Sequence, residues 1–144
     1  MNYPSEVNAR KNFPIVDSGF IPETGYSWVT IETRYGRFTG TAQVHSDDLE
    51  AGYFNTRFGQ NIAHSRAYIE YLKYYKRMLL FAYNGLLSLW AQAPKNNGAA
   101  FNMKTQLNQY QFMIENCRYT IKNIQNSIKN RIDEAEQYYK ARNK

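Results

Sequence analysis

From Arg57 to Trp90 the chain contains no proline, and a mostly apolar stripe returns through it at alternating steps of three and four: Ile62, Ser65, Ile69, Leu72, Lys76, Leu79, Tyr83, Leu86 and Trp90. That spacing keeps one face of an α-helix turned toward a second helix. At 1.5 Å per residue the helix it predicts is roughly 50 Å long. A rod of that length cannot cover its own stripe. A partner follows the break at Ala93-Pro94-Lys95-Asn96-Asn97-Gly98, where Leu107, Tyr110, Ile114, Cys117, Ile121, Ile124 and Ile128 repeat the alternation. The pattern therefore predicts an antiparallel helical hairpin. Lys76, a charge within the stripe, reads as a register-setting residue whose ammonium reaches out to solvent.

Ahead of the helices the period changes to two. In Trp28–Arg34, Val29, Ile31 and Thr33 fall on one face and Trp28, Thr30, Glu32 and Arg34 on the other, and the alternation resumes after Tyr35-Gly36. This predicts a β-hairpin, with Gly36 supplying the positive φ of a tight turn. Phe38, Gly40, Ala42 and Val44 would face the core, and the small residues at 40 and 42 predict close packing of the long helix against that strand. Residues 1–25, with Pro4, Pro14 and Pro22 and no sustained period, read as an arm with little regular structure. Ser46 or Asp47 can cap the helical region that follows. Gly59 and Gly85 interrupt the long helix at a cost of about 1 kcal/mol each relative to alanine, and Gly85 beside Asn84 marks the expected kink or close approach. Thr105 is the expected cap of the second helix. The expectation is one α+β domain spanning 1–144: an arm (1–25), a β-hairpin (26–45), a long helix with a short lead-in (46–92), a loop (93–104) and a second helix (105–140).

Composition changes this picture in two ways. A two-helix seam is one side chain deep, yet the chain carries 13 tyrosines, 8 phenylalanines and 2 tryptophans. Aromatics left on the outer faces predict a homo-oligomer, a dimer or larger. Second, 18 Lys and Arg against 12 Asp and Glu give a net charge of +6, which favours an acidic partner. A nucleic acid, a nucleotide and an anionic membrane surface would each satisfy that sign. No run approaches the roughly 18 consecutive apolar residues of a membrane span, and no apolar run follows the first basic residues, so a soluble, cytosolic protein is expected.

Catalytic and metal-binding patterns are missing. There is no glycine-rich phosphate loop, no cysteine pair, and the two histidines, His45 and His64, are far apart in sequence. Ser65 follows His64, but neighbours on a helix point about 100° apart and cannot act as a nucleophile and base. Cys117, in the apolar stripe, reads as a small buried hydrophobe. We therefore expect no enzyme, no metal and no cofactor. The cations say more: Arg66 lies one place past Ser65, Arg118 one place past Cys117, and Lys122 one turn beyond Arg118, while Arg57, Lys73, Lys76 and Arg77 add charge to the first helix. For each of these, a solvated flank is the competing assignment. The loop adds Trp90, Phe101 and the amides Asn96, Asn97 and Asn102, groups suited to stacking on a base and reading its edge. The residues by themselves favour the plainer assignment, a hairpin loop whose aromatics cap the end of the core.

The run TRYGRFTGTAQVHSDD followed by FGQNIAHSRAYIEYLKYYKRMLL is similar to a group of small bacteriophage proteins in which a YGxFTGxA hairpin leads through an acidic cap into a long helix that returns by a second one. Among these it resembles the anti-Thoeris sponge proteins, which sequester a cyclic ADP-ribose isomer, an immune signal, without cleaving it. The resemblance covers about residues 26 to 130. It implies a homo-oligomer with a ligand pocket between protomers, acting in the cytoplasm of the bacterial host. It also implies roles for five residues: Arg66 contacts ligand, Trp90 stacks on the base, Asn102 reads the base edge, and Arg118 and Lys122 hold the phosphates. That family carries arginine at both of the last two positions, so Lys122 keeps the charge and loses the bidentate fork. Two other functions fit the basic helical surface. One is a phage protein that inhibits a host defence enzyme by direct contact; the other is a nucleic-acid binder using Lys73, Arg77, Lys129 and Arg131 as a backbone stripe.

Overall fold

The structure is a computed structural model and describes residues 13–43, 56–96 and 98–142. In chain order its elements are strands β1 (Ile15–Ile21), β2 (Tyr26–Thr33) and β3 (Gly36–Gln43), then helices α1 (Thr56–Gln92) and α2 (Gly98–Arg142). The fold class is α+β, an antiparallel sheet of order β1-β2-β3 followed by two helices. Packing divides the chain into two compact units. One holds the residues up to Tyr71 together with those from Lys122 onward; the other is Leu72–Ile121.

In the first unit β2 and β3 pair from Tyr26↔Gln43 to Thr33↔Gly36 without a register slip. Gly36 has φ 119°, the positive value expected of it. The Tyr35 amide donates to Thr33 Oγ1 at 3.1 Å and closes the turn. Ser27, Val29 and Ile31 form the buried face of β2. Against the sheet lies α1, buried here at Ile62, Ala63, Ser65, Ala67, Tyr68, Ile69 and Tyr71. β3 approaches the helix so closely that a Cβ on Gly40 would collide with the Ala63 carbonyl oxygen and the Ala67 nitrogen. This is the close packing that the small residues at 40 and 42 predicted. Tyr71 is the hub of an aromatic cluster, edge-on to Phe13 at 4.8 Å and to Phe38 at 5.8 Å between ring centres. Each such pair adds roughly 0.5–1.5 kcal/mol beyond its buried area.

Three expectations are corrected. The arm is not irregular throughout, because Ile15–Ile21 forms the edge strand β1, antiparallel to β2. Its apolar residues do not alternate, and what makes it a strand is the turn Pro22-Glu23-Thr24-Gly25. Gly25 adopts φ 70° and its amide donates to the Ile21 carbonyl at 2.8 Å. Gly19 then leaves room for the Trp28 ring, whose Nε1 donates to Asp17 Oδ2 at 3.3 Å. Second, α2 begins at Gly98 rather than at a Thr105 cap. Ala99 and Ala100 are strong helix formers directly after the stop at Pro94, and Thr105 sits inside the helix with its hydroxyl bonded back to the Phe101 carbonyl at 3.1 Å. Third, the close approach is made by Gly59, where an added Cβ would lie 2.7 Å from Ser27 Oγ; Gly85 is exposed with open space around it. Val44, His45, the Ser46 or Asp47 cap and the lead-in to α1 fall outside the described residues.

In the second unit α1 and α2 meet along the predicted seam. Leu79, Ile114 and Cys117 form its buried centre, with Tyr75, Leu80, Tyr83, Tyr110 and Met113 packed around them. Gln111 Nε2 donates to the Tyr83 hydroxyl at 3.3 Å. Lys76 is half-buried in its seam position.

Two glycines separate close packing from mere helix propensity. Gly40→Ala drives a methyl into helix backbone that cannot yield, and should destabilise the protein by about 3 kcal/mol or more. Gly85→Ala meets nothing and should stabilise it by about 1 kcal/mol. Urea unfolding midpoints of the two variants, moving in opposite directions, check both assignments.

Candidate functional site

The second unit ends in a corner built by the helix break. α1 stops at Gln92 because Pro94 cannot continue it, and in its last turn the Trp90 carbonyl accepts only one backbone amide, that of Ala93, at 3.2 Å, in a tightened final turn. The Lys95 ammonium also bonds to the Trp90 carbonyl and, at 2.8 Å, to the Ala93 carbonyl. The same Lys95 Nζ lies 4.4 Å from the centre of the half-buried Trp90 ring. Lys104, in the second turn of α2, brings its Nζ to 5.0 Å from that ring. One indole therefore carries two ammonium groups. Asn96, Phe101 and Asn102 are exposed nearby in sequence, Phe101 at 73%; Asn97 falls outside the described residues.

The charge of this unit is one-sided. Between Glu70 and Glu115 the sequence has no Asp or Glu, so Lys73, Lys76, Arg77, Lys95, Lys104 and Arg118 face Glu115 alone within Leu72–Ile121. Arg118, exposed, donates to Glu115 at 2.6 Å across one helical turn. Such an exposed pair is worth at most about 1 kcal/mol, so it restrains the guanidinium only weakly.

Trp90, Asn102 and Arg118, all singled out from the sequence, belong to the second unit, but Arg118 lies roughly 24 Å along α2 from Asn102 and is not brought to the Trp90 corner. Arg66 and Lys122 belong to the first. Arg66 is half-buried and its Nη1 donates to the Thr41 carbonyl on β3 at 2.9 Å, so this cation holds the sheet to the helix. Lys122 is exposed on α2. Sequence reasoning missed Lys95 and Lys104. A lysine just past the helix-stopping proline was the available signal for the first; the second depends on α2 beginning at Gly98, which the Thr105 cap had hidden.

The nucleic-acid stripe loses a member. The Arg131 guanidinium is occupied within the first unit, donating to Asn61 Oδ1 at 3.0 Å, to Ser65 Oγ at 3.1 Å and to the Ser127 carbonyl at 3.3 Å. It therefore satisfies buried Ser65 rather than tracking a phosphate backbone. Arg77 lies 6.0 Å from the Tyr74 ring centre. Cys117 is 1% exposed in the apolar core, as its stripe position predicts. Among the described residues no cluster of His, Cys, Asp or Glu could hold a metal ion, and no helix is long and apolar enough to cross a membrane.

No protein-family model, no curated protein and no solved structure matches the chain.

Proposed function

We propose that this chain is a phage-type anti-defence protein that binds and sequesters a cyclic nucleotide immune signal, a cyclic ADP-ribose isomer, without cleaving it. The observation that carries the proposal is the Trp90 corner: an indole among cations in a stretch of chain that has no carboxylate between Glu70 and Glu115. Aromatic faces and uncompensated cations are the groups a nucleotide needs, and the hairpin motif TRYGRFTGTAQV supports the same assignment through its resemblance to the sponge proteins. Trp90 stacks on the base and Asn102 reads its edge, while Arg118, roughly 24 Å further along α2, holds a phosphate only in a pocket shared with another protomer. The exposed Arg118–Glu115 pair is weak enough for a phosphate to displace, since a charge-assisted contact to phosphate contributes about 1.5–3 kcal/mol against at most about 1 for the pair. Arg66 and Lys122 enter through the resemblance alone.

Self-association is part of the proposal. Phe81 is 83% exposed, and Phe101, Phe112, Tyr119 and Leu89 are more than half exposed, which supports burial against further copies. The same surface also favours a second function, inhibition of a host defence enzyme by direct contact.

Calorimetric titration with a cyclic ADP-ribose isomer tests the first proposal. Arg118→Ala should bind roughly tenfold to a hundredfold more weakly while its melting temperature stays within a degree or so of the parent's, because the side chain makes only an exposed contact. Unchanged affinity in Arg118→Ala would remove Arg118 from the site, and no binding by the parent protein would move the function to enzyme inhibition. Sedimentation velocity at micromolar concentration should show no 16.9 kDa monomer; a clean monomer would remove self-association from the account.

A further inference from the structure

Lys95 and Lys104 are held at one indole ring by different means. Lys95 is fastened by the carbonyls of Trp90 and Ala93 at the negative end of α1, and Lys104 is carried by α2. Their ammonium groups lie 4.4 and 5.0 Å from the same ring centre, so two positive charges are kept close together. Like charges gathered at one ring repel, and an anion bound beside them would relieve that repulsion. Here neither lysine has a carboxylate partner among the described residues, and the sequence around them has none to offer.

The groups define the chemistry of such an anion. Two lysines present compact point charges with several donors each, which suit the tetrahedral, multiply charged phosphate better than a planar carboxylate, for which an arginine fork is the usual match. An ammonium drawn off the ring by a phosphate uncovers an apolar indole face, which a bare inorganic anion would not use and an attached base would. We propose that Trp90, Lys95 and Lys104 form a binding site for a phosphorylated nucleoside, with the two ammonium groups on its phosphates and the indole on its base. The proposal rests on the preceding function only in assigning Trp90 to a base. It adds Lys95 and Lys104 as phosphate contacts and requires neither Arg118 nor Lys122.

The probe is adenosine 5′-diphosphate, titrated calorimetrically into the full chain, with adenosine as the uncharged comparison. Saturable binding of the diphosphate, at least tenfold tighter than adenosine, is expected. The double variant Lys95→Gln/Lys104→Gln should lose at least tenfold in affinity, and Lys104→Arg should retain most of it. Lys129→Gln, an exposed cation in the other unit, should bind as the parent does. Because Lys95 also caps α1, melting curves accompany each variant, and Lys104→Gln alone, which breaks no cap, must still weaken binding. Equal losses in Lys129→Gln and the double variant would show diffuse attraction to a basic protein and overturn the site. A protein that binds the cyclic ADP-ribose isomer yet ignores adenosine diphosphate, or binds the isomer equally well without the two lysines, would overturn this site and leave the proposed function standing. Diphosphate binding that depends on the lysines, in a protein that ignores the cyclic isomer, would do the reverse.

Discussion

The contact between β3 and α1 at Gly40 constrains the first unit more than any other. A strand lies directly on helix backbone there, with the Ala63 carbonyl and the Ala67 amide occupying the volume that any side chain at position 40 would need. Such an approach demands small residues on both sides, and Ala63 and Ala67, both wholly buried, supply them from the helix. Its consequences spread outward along both elements. The inner face of β2 is brought down onto α1 with Ser27 over Gly59, Phe38 reaches Tyr71, and the Arg66 guanidinium bonds to the Thr41 carbonyl. A small sheet is stabilised by packing an apolar face on a helix, and here the close backbone approach and the Arg66 tether hold that face in place.

The parts of this architecture that were legible in the sequence are those in which a period carries the information. The seam positions from Ile62 to Leu79 and from Leu107 to Ile128 are spaced for a helical partner, and they are buried or half-buried where described. The β2–β3 hairpin announces itself by alternation and by Gly36. β1 was hidden because its pairing residues are specified by a turn and by the shape of Trp28 over Gly19, not by its own pattern. Gly59 and Gly85 look alike in sequence, and only the neighbouring strand gives the first one a role. The start of α2 was misplaced because a threonine suited to capping lies inside a segment whose alanines extend the helix past it.

The cations divide by the same logic. Arg66 lies one place past the apolar stripe as Arg118 does, and Arg131 falls on the next step of the stripe after Ile128, yet each is tied to a carbonyl or to buried Ser65 and holds the first unit together. Arg118, Lys95 and Lys104 instead contact a carboxylate one turn away, helix-end carbonyls or an indole. Spacing along a helix cannot distinguish these classes, because the difference lies in what the neighbouring element presents. Where the cation joins two elements, as Arg66 joins α1 to β3 and Arg131 joins α2 to α1, it is structural. Where it contacts only its own helix, a helix end or an aromatic face, as Arg118, Lys95 and Lys104 do, it is a candidate for a ligand contact.

The central functional claim is that the signal molecule is held and not transformed. The most direct measurement mixes the protein with a cyclic ADP-ribose isomer, removes unbound molecules by gel filtration, heats the complex and determines the mass of what is released. Recovery of the cyclic molecule intact, in a fixed ratio to protein, is the predicted result. Release of a linear hydrolysis product, or a protein fraction that carries no nucleotide after filtration, would contradict it.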